Sequence, residues 1–208
     1  VTPAPTAAIS AVLPLAVLEA MRGLDRPAPD AFDEIHGEIT AKRLGLSRTV
    51  EVEIARLERL GRRGNGVAAA ELSALIRLAT RRQDAALIFS DAGRRAASRA
   101  LRQLPGLVRL GHATLPPGLR RNLGAVLARR VAARVLGLSL SLESGVPVAT
   151  LAESHAHVSE PGPACGLYAS ALAELLRRTI GFDGAMVHVA CRGRGEMRCT
   201  WRAASVHD

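Results

Sequence analysis

Aromatic side chains are nearly missing from this chain: Phe32, Phe89, Tyr168, Phe182 and Trp201 are the whole set among 208 residues. A stacking platform for single-stranded nucleic acid needs several exposed rings along a groove, and there is little here to build one. Lysine is scarcer still, with Lys42 alone against 27 arginines. There are only three cysteines, so they cannot all pair within one chain, and a disulfide-stapled scaffold is excluded. No apolar run is long enough to span a bilayer. Residues 7–18 come nearest, but Pro14 interrupts them and no basic residue precedes them, so they read neither as a membrane span nor as a signal peptide. An odd thiol count without such a leader points to a reducing compartment, and a cytoplasmic location is expected. The chain opens on Val1, which leaves room for a few native residues ahead of it. No strand-to-helix G-x-G-x-x-G is present. Gly61-Arg-Arg-Gly-Asn-Gly66 follows a helix, so it fails the context that a dinucleotide site requires.

Apolar residues make up 48% of the sequence, enough for one substantial domain, with a core of Leu, Ala, Val and Ile. The net charge of +9 is unevenly spread. Residues 59–137 carry sixteen arginines against Glu71, Asp84 and Asp91, whereas 1–58 and 138–208 are close to balance. Such a surplus could meet phosphates, an anionic membrane or an acidic partner. The near-absence of lysine marks a general arginine bias, and the arginines form no single stripe in the sequence, so a nucleic-acid role is the weaker reading.

Residues 1–6 read as a disordered Pro/Ala lead-in, and 7–208 as a single domain. Its first part, 7–137, has helical spacing: helices over 7–23, 31–44 and from Ser47 to about 60, then two between 67 and 104 that part near 80–84. Another covers 119–137, with Leu123, Val126, Leu127 and Val131 as core. Small residues dominate the face Leu87, Ser90, Gly93, Ala97, Leu101 and Leu104, which implies a close helix–helix or helix–sheet contact, between subunits if the chain dimerises. At Gly137 the period falls to two. Leu138, Leu140 and Leu142 alternate with Ser139, Ser141 and Glu143 as a half-buried strand, and further strands are expected over 146–151 and 154–158. A helix over 165–180 and a hairpin of 185–191 with 197–202 complete 138–203. Helices first and then strands make an α+β fold, with helices packed on an antiparallel sheet.

The chemistry gathers at the end of the chain. Cys165 starts the helix, and the hairpin carries Cys191 and Cys199, with His188 three positions before Cys191. Three thiols and an imidazole suit a tetrahedral metal site. If the hairpin turn is odd-length and centred on Gly195, Cys191 faces Cys199 and Val189 faces Trp201, with opposed Cβ atoms about 4.5–5.5 Å apart. An even-length turn would throw the two sulfurs to opposite faces. His188 in a regular strand points away from Cys191 and can join only if the strand bulges between them. His155, His157, Glu196 or a water are the other choices for a fourth ligand. The competing readings are three buried thiols acting as small hydrophobes, or a Cys191–Cys199 disulfide. His155 and His157 share a strand face and are weak candidates for a ligand pocket or for an axial ligand to a porphyrin metal.

These residues resemble the end of the 4-vinyl reductase domain family, which closes with a cysteine at a helix start and then a pattern like C-x-A-x-G-x-x-x-C-x-F. Here it reads Cys191-Arg-Gly-Arg-Gly-Glu-Met-Arg-Cys-Thr-Trp201. In the phenol-sensing activators of that family the equivalent thiols and an acidic residue bind zinc, and the acidic position falls on His188, itself a zinc ligand. Ala86-Leu-Ile-Phe-Ser-Asp-Ala-Gly-Arg-Arg-Ala96 is similar to the family's alanine–glycine–arginine helix. Residues 8–14 and 115–137 resemble the bacteriochlorophyll 4-vinyl reductase branch. The resemblance covers roughly residues 7–203. It implies a fold shared with trafficking-complex subunits, often dimeric, with zinc held by Cys165, His188, Cys191 and Cys199 and a hydrophobic small molecule beside the sheet. The groups that phenol sensors use to grip their effector have no counterparts, so phenol is not expected. A large apolar ligand, such as a tetrapyrrole or an acyl chain, suits the leucines and alanines. The function expected is sensing or tetrapyrrole handling by a zinc-stabilised binding domain. A 4-vinyl reductase or its accessory protein in bacteriochlorophyll synthesis is the alternative, and nucleic-acid binding through 59–137 is a weaker one. A sensor of this kind would need a downstream effector protein, since no output segment is visible.

Overall fold

A computed structural model describes residues 8–25, 47–105, 116–151 and 163–205. The expected lead-in, the helix over 31–44, the strand over 154–158 and the candidates His155 and His157 lie outside the described residues. Within them the chain runs β1 (Ala8–Ser10), α1 (Val12–Asp25), α2 (Arg48–Arg62), β2 (Gly66–Ala68), α3 (Ala69–Thr80), α4 (Ala85–Arg102), α5 (Pro117–Val131), β3 (Ser139–Glu143), β4 (Val146–Leu151), α6 (Cys165–Ile180), β5 (Gly184–Ala190) and β6 (Cys199–Ser205). The larger sheet is antiparallel in the order β3-β4-β6-β5, and β1 pairs with β2 in a separate two-stranded ribbon. The α+β architecture is the one the sequence pattern implies.

Two local readings change. The first helix begins at Val12 rather than 7, because Ile9 pairs with Val67 in the β1–β2 ribbon and the Ser10 hydroxyl accepts from the Val12 N–H. Nor does Gly23 stop it: α1 continues to Asp25, where the Arg82 guanidinium binds the buried carboxylate with two bonds of 2.6 and 3.0 Å. A tertiary ion pair thus outweighs a local stop signal. By contrast, Ser47 caps α2 as its sequence suggests, its hydroxyl accepting from Val50 N.

α1 is the centre of the helical layer and is buried around almost its whole circumference. Leu15 and Leu18 pack with Val50, Ile54 and Leu57 of α2 and Val67 of β2. Val12, Leu13, Val17 and Met21 belong to the larger core that runs through α3, α4 and α6 to the inner face of the sheet. α4 lies against both α1 and α6. It therefore buries Ile88, Phe89, Ala92, Gly93, Ala96, Ala97 and Ala100 on a broad front, while Leu87 is exposed, contrary to the face read from the sequence. The small-residue contact is internal. A Cβ at Gly93 would meet Ala171 N of α6 at 2.7 Å and collide with the Leu167 carbonyl oxygen, so only glycine lets the two helices approach this closely.

α5 ends in a π-helical turn, Ala132–Leu136, before β3. Leu127 and Val131 are buried as expected, but Val126 is 44% exposed and is not a core residue. Its position falls on the solvent side once Gly124, Leu127, Ala128 and Val131 turn inward. Leu138, just ahead of β3, and Leu140 on it reach the core while Leu142 lies exposed near the strand's end.

Candidate metal centre

The register of the sheet decides what its inner face carries. β4 and β6 pair Ala149 with Trp201 and Leu151 with Cys199, so Cys199 and Trp201 share the core side with two buried β4 residues. β5 and β6 pair His188 with Trp201 and then Ala190 with Thr200, with one extra residue, Val189, between them. That bulge answers the geometrical objection to His188. Across it the alternation resets, so His188 lies on the inner face and the next inner position is Cys191, in register with Cys199. Val189 is exposed and does not oppose Trp201, which corrects the regular register expected from the sequence. The chain then closes through a 3₁₀ turn, Arg192–Arg194, and Gly195 at φ 92°, a left-handed position that favours glycine.

From the opposite layer α6 presents its first residue. Cys165 projects from the helix N-terminus onto the inner face of the hairpin, and its thiol hydrogen-bonds with both Cys191 and Cys199. The ligand atoms of Cys165, His188, Cys191 and Cys199 all lie within 4.8 Å of one another. The cysteines are buried and none is in a disulfide, so a Cys191–Cys199 bridge is not formed. A tetrahedral ion bound at about 2.3 Å from each sulfur spaces them about 3.8 Å apart. An ion would therefore draw the cluster in by about an ångström at most. These four residues could hold a metal ion. Glu196, weighed as a fourth ligand, is exposed and stands outside the cluster.

The electrostatics fit a site that needs a cation. Burial, together with the neighbouring Cys191 and Cys199, pushes the Cys165 thiol up to about 12, because clustered thiolates repel when nothing positive stands between them. Burial and the nearby charge of Arg194 hold His188 below the usual imidazole range, against a hydrogen bond to the Ala190 backbone. The ring is thus neutral, the form that binds metals, and its buried Nε2 has no hydrogen-bond partner. Donor chemistry of this kind, three soft thiolates with one imidazole, matches closed four-ligand sites.

Two aromatic residues not picked out as site residues from the sequence complete the surroundings. Trp201, fully buried, stacks on His188 with ring centroids 4.8 Å apart and planes 19° from parallel. Tyr168, one turn beyond Cys165, packs tilted against Trp201 with ring centroids 5.5 Å apart. Burial, then the nearby Cys165 and Cys199, raises the Tyr168 hydroxyl above the ordinary phenol range. Its i, i+3 spacing from Cys165 is the sequence signal that could have found it. Tyr168 also lines a cavity of about 400 Å³ with Ile9, Leu13, Leu136, Leu151 and Arg134, so one side chain borders both the thiol cluster and the cavity.

No family model, curated protein or solved structure matches the chain.

Proposed function

We propose that this chain is a zinc-stabilised binding domain of the 4-vinyl reductase type that holds a hydrophobic small molecule. The observation that carries the reading is the convergence of Cys165, His188, Cys191 and Cys199 within 4.8 Å, from a helix start and the two arms of a hairpin. Zinc is the ion of choice for three thiolates and an imidazole in a tetrahedral, closed site, where its role is to tie α6 to the hairpin rather than to activate water. The cavity beside Tyr168 supplies the space for a ligand. Its 400 Å³ sits near the lower end of small-molecule sites, a size that suits a compact molecule better than a tetrapyrrole macrocycle.

The test is metal analysis of the untagged protein purified without chelators, with an absorption spectrum and mass analysis of anything extracted from it. About one zinc per chain is expected, lost in both Cys191→Ser and Cys199→Ser, with thermal unfolding of each variant well below that of the parent. Three freely titrating thiols and no metal would remove the zinc reading. A Soret-type band would replace the compact ligand with a tetrapyrrole and move the function toward pigment handling.

A further inference from the structure

Carboxylates hold only some of the arginines of the basic middle region. Around α4, carboxylates hold Arg82 (Asp25 and Asp84), Arg94 and Arg95 (Asp91) and Arg99 (Glu19), while Arg81 and Arg102 are exposed. Those of α5 and the π turn that follows it, Arg120, Arg121, Arg129, Arg130 and Arg134, are all exposed. None of the five pairs with a carboxylate among the described residues. No acidic residue occurs anywhere between Asp91 and Glu143, and Glu143 itself is paired with Arg202.

α5 also breaks two rules of a solvated helix. Its first turn contains no acidic residue, and Arg120 and Arg121 crowd the positive end of the helix dipole, a placement that costs stability unless an anion sits there. In addition it leaves apolar side chains in water: Leu119 is 58% and Val126 44% exposed. Seven positions apart, the two lie within about 20° of one line along the helix. Leu123 is half-buried beside that line, and Arg129 and Arg130 follow Val126 one turn on. The opposite face of the helix, Leu127, Ala128 and Val131, is locked into the core, so the exposed line runs along the outside of the molecule.

We propose that this outer face of α5 is a docking surface for an anionic lipid bilayer, with the arginines on the headgroups and Leu119 and Val126 entering the boundary with the acyl chains. Charge complementarity selects an anionic surface. The apolar line between the arginines selects lipid over a phosphodiester backbone, which would leave Leu119 and Val126 no better desolvated than water does. No helix among the described residues is long and apolar enough to cross a membrane, so the association is peripheral and reversible. It does not depend on the metal centre or its ligand.

The experiment is co-sedimentation of the full chain with vesicles of equal parts phosphatidylglycerol and phosphatidylcholine, and with phosphatidylcholine alone. The protein should pellet with the anionic vesicles and stay in solution with the neutral ones. R129Q/R130Q should lower the partition by about twenty-five-fold, at about five-fold per arginine, and L119S/V126S by about ten-fold or more. Both pairs face solvent, so their thermal unfolding should stay within about 2 °C of the parent, which separates lost docking from lost folding. Equal sedimentation with neutral vesicles, or none with either, would overturn the proposal. So would loss of binding in R129Q/R130Q with none in L119S/V126S, which marks a plain polyanion site of the sort duplex DNA fills.

Discussion

At the scale of single residues, position on the sheet decides more than identity. His188 reads as an unremarkable strand residue until one extra residue, Val189, is let out of the ladder, after which it stacks on Trp201 and reaches three thiols. The sequence singles out Cys165, Cys191 and Cys199 as candidate ligands because cysteine is rare in this chain. It leaves the fourth open because a bulge costs little and leaves no fixed signature. Glu174 illustrates the same dependence on surroundings. Burial alone would raise its carboxyl, but hydrogen bonds from Arg178 and Arg177 outweigh it and hold the group below the usual range, and Ser98 of α4 adds a donor at 3.4 Å. A carboxyl lowered in the folded state contributes stability that is present above its unfolded value of 4.5 and is lost as pH falls through the folded value. Thermal unfolding of the parent should therefore drop as pH falls below about 5, and Glu174→Gln should flatten that drop while costing about 1–2 kcal/mol at neutral pH. An unchanged acid limb in the variant would show that other carboxylates set it.

Among elements, the α4–α6 crossing is the contact on which the site depends, because α6 carries Cys165 and Tyr168 to the sheet. Gly93 allows the two backbones to meet, with Leu167 and Ala171 directly opposite. Gly93→Ala should push α6 outward and destabilise the chain by about 2–3 kcal/mol, a fall of about 4–12 °C in Tm, and should weaken metal retention along with it. A variant that melts like the parent would mean that the helices separate without strain. The sequence announces a close contact at Gly93 through its small residues, yet it cannot say with what. Alanine and glycine mark a short distance and leave the partner to topology. α5 teaches the converse. Periodicity assigns Val126 to the core, but the side that faces inward is chosen by which of several apolar lines packs best, and Leu127 and Val131 are preferred.

Across the whole molecule, one core runs from the helices to the sheet. α1 joins its larger cluster to the smaller one around α2 and β2, and the same larger cluster contains Cys165, Cys191, Cys199 and Trp201. Metal removal should therefore be felt globally. Chelation is expected to lower the midpoint of a single unfolding transition, seen together by far-UV circular dichroism and by Trp201 fluorescence. Two separated transitions, with Trp201 moving first, would instead make the hairpin an independent unit.

Composition and periodicity alone determined that the chain is α+β, where most helices lie, and that its chemistry collects in three thiols and one histidine, because these properties are local and additive along the chain. Tertiary structure decided the rest: the β1–β2 ribbon, the bulge that turns His188 inward, Tyr168 standing between the thiol cluster and the cavity, and which arginines remain unpaired. Each of these turns on a balance between contacts far apart in sequence, and no window of neighbouring residues contains both sides of that balance.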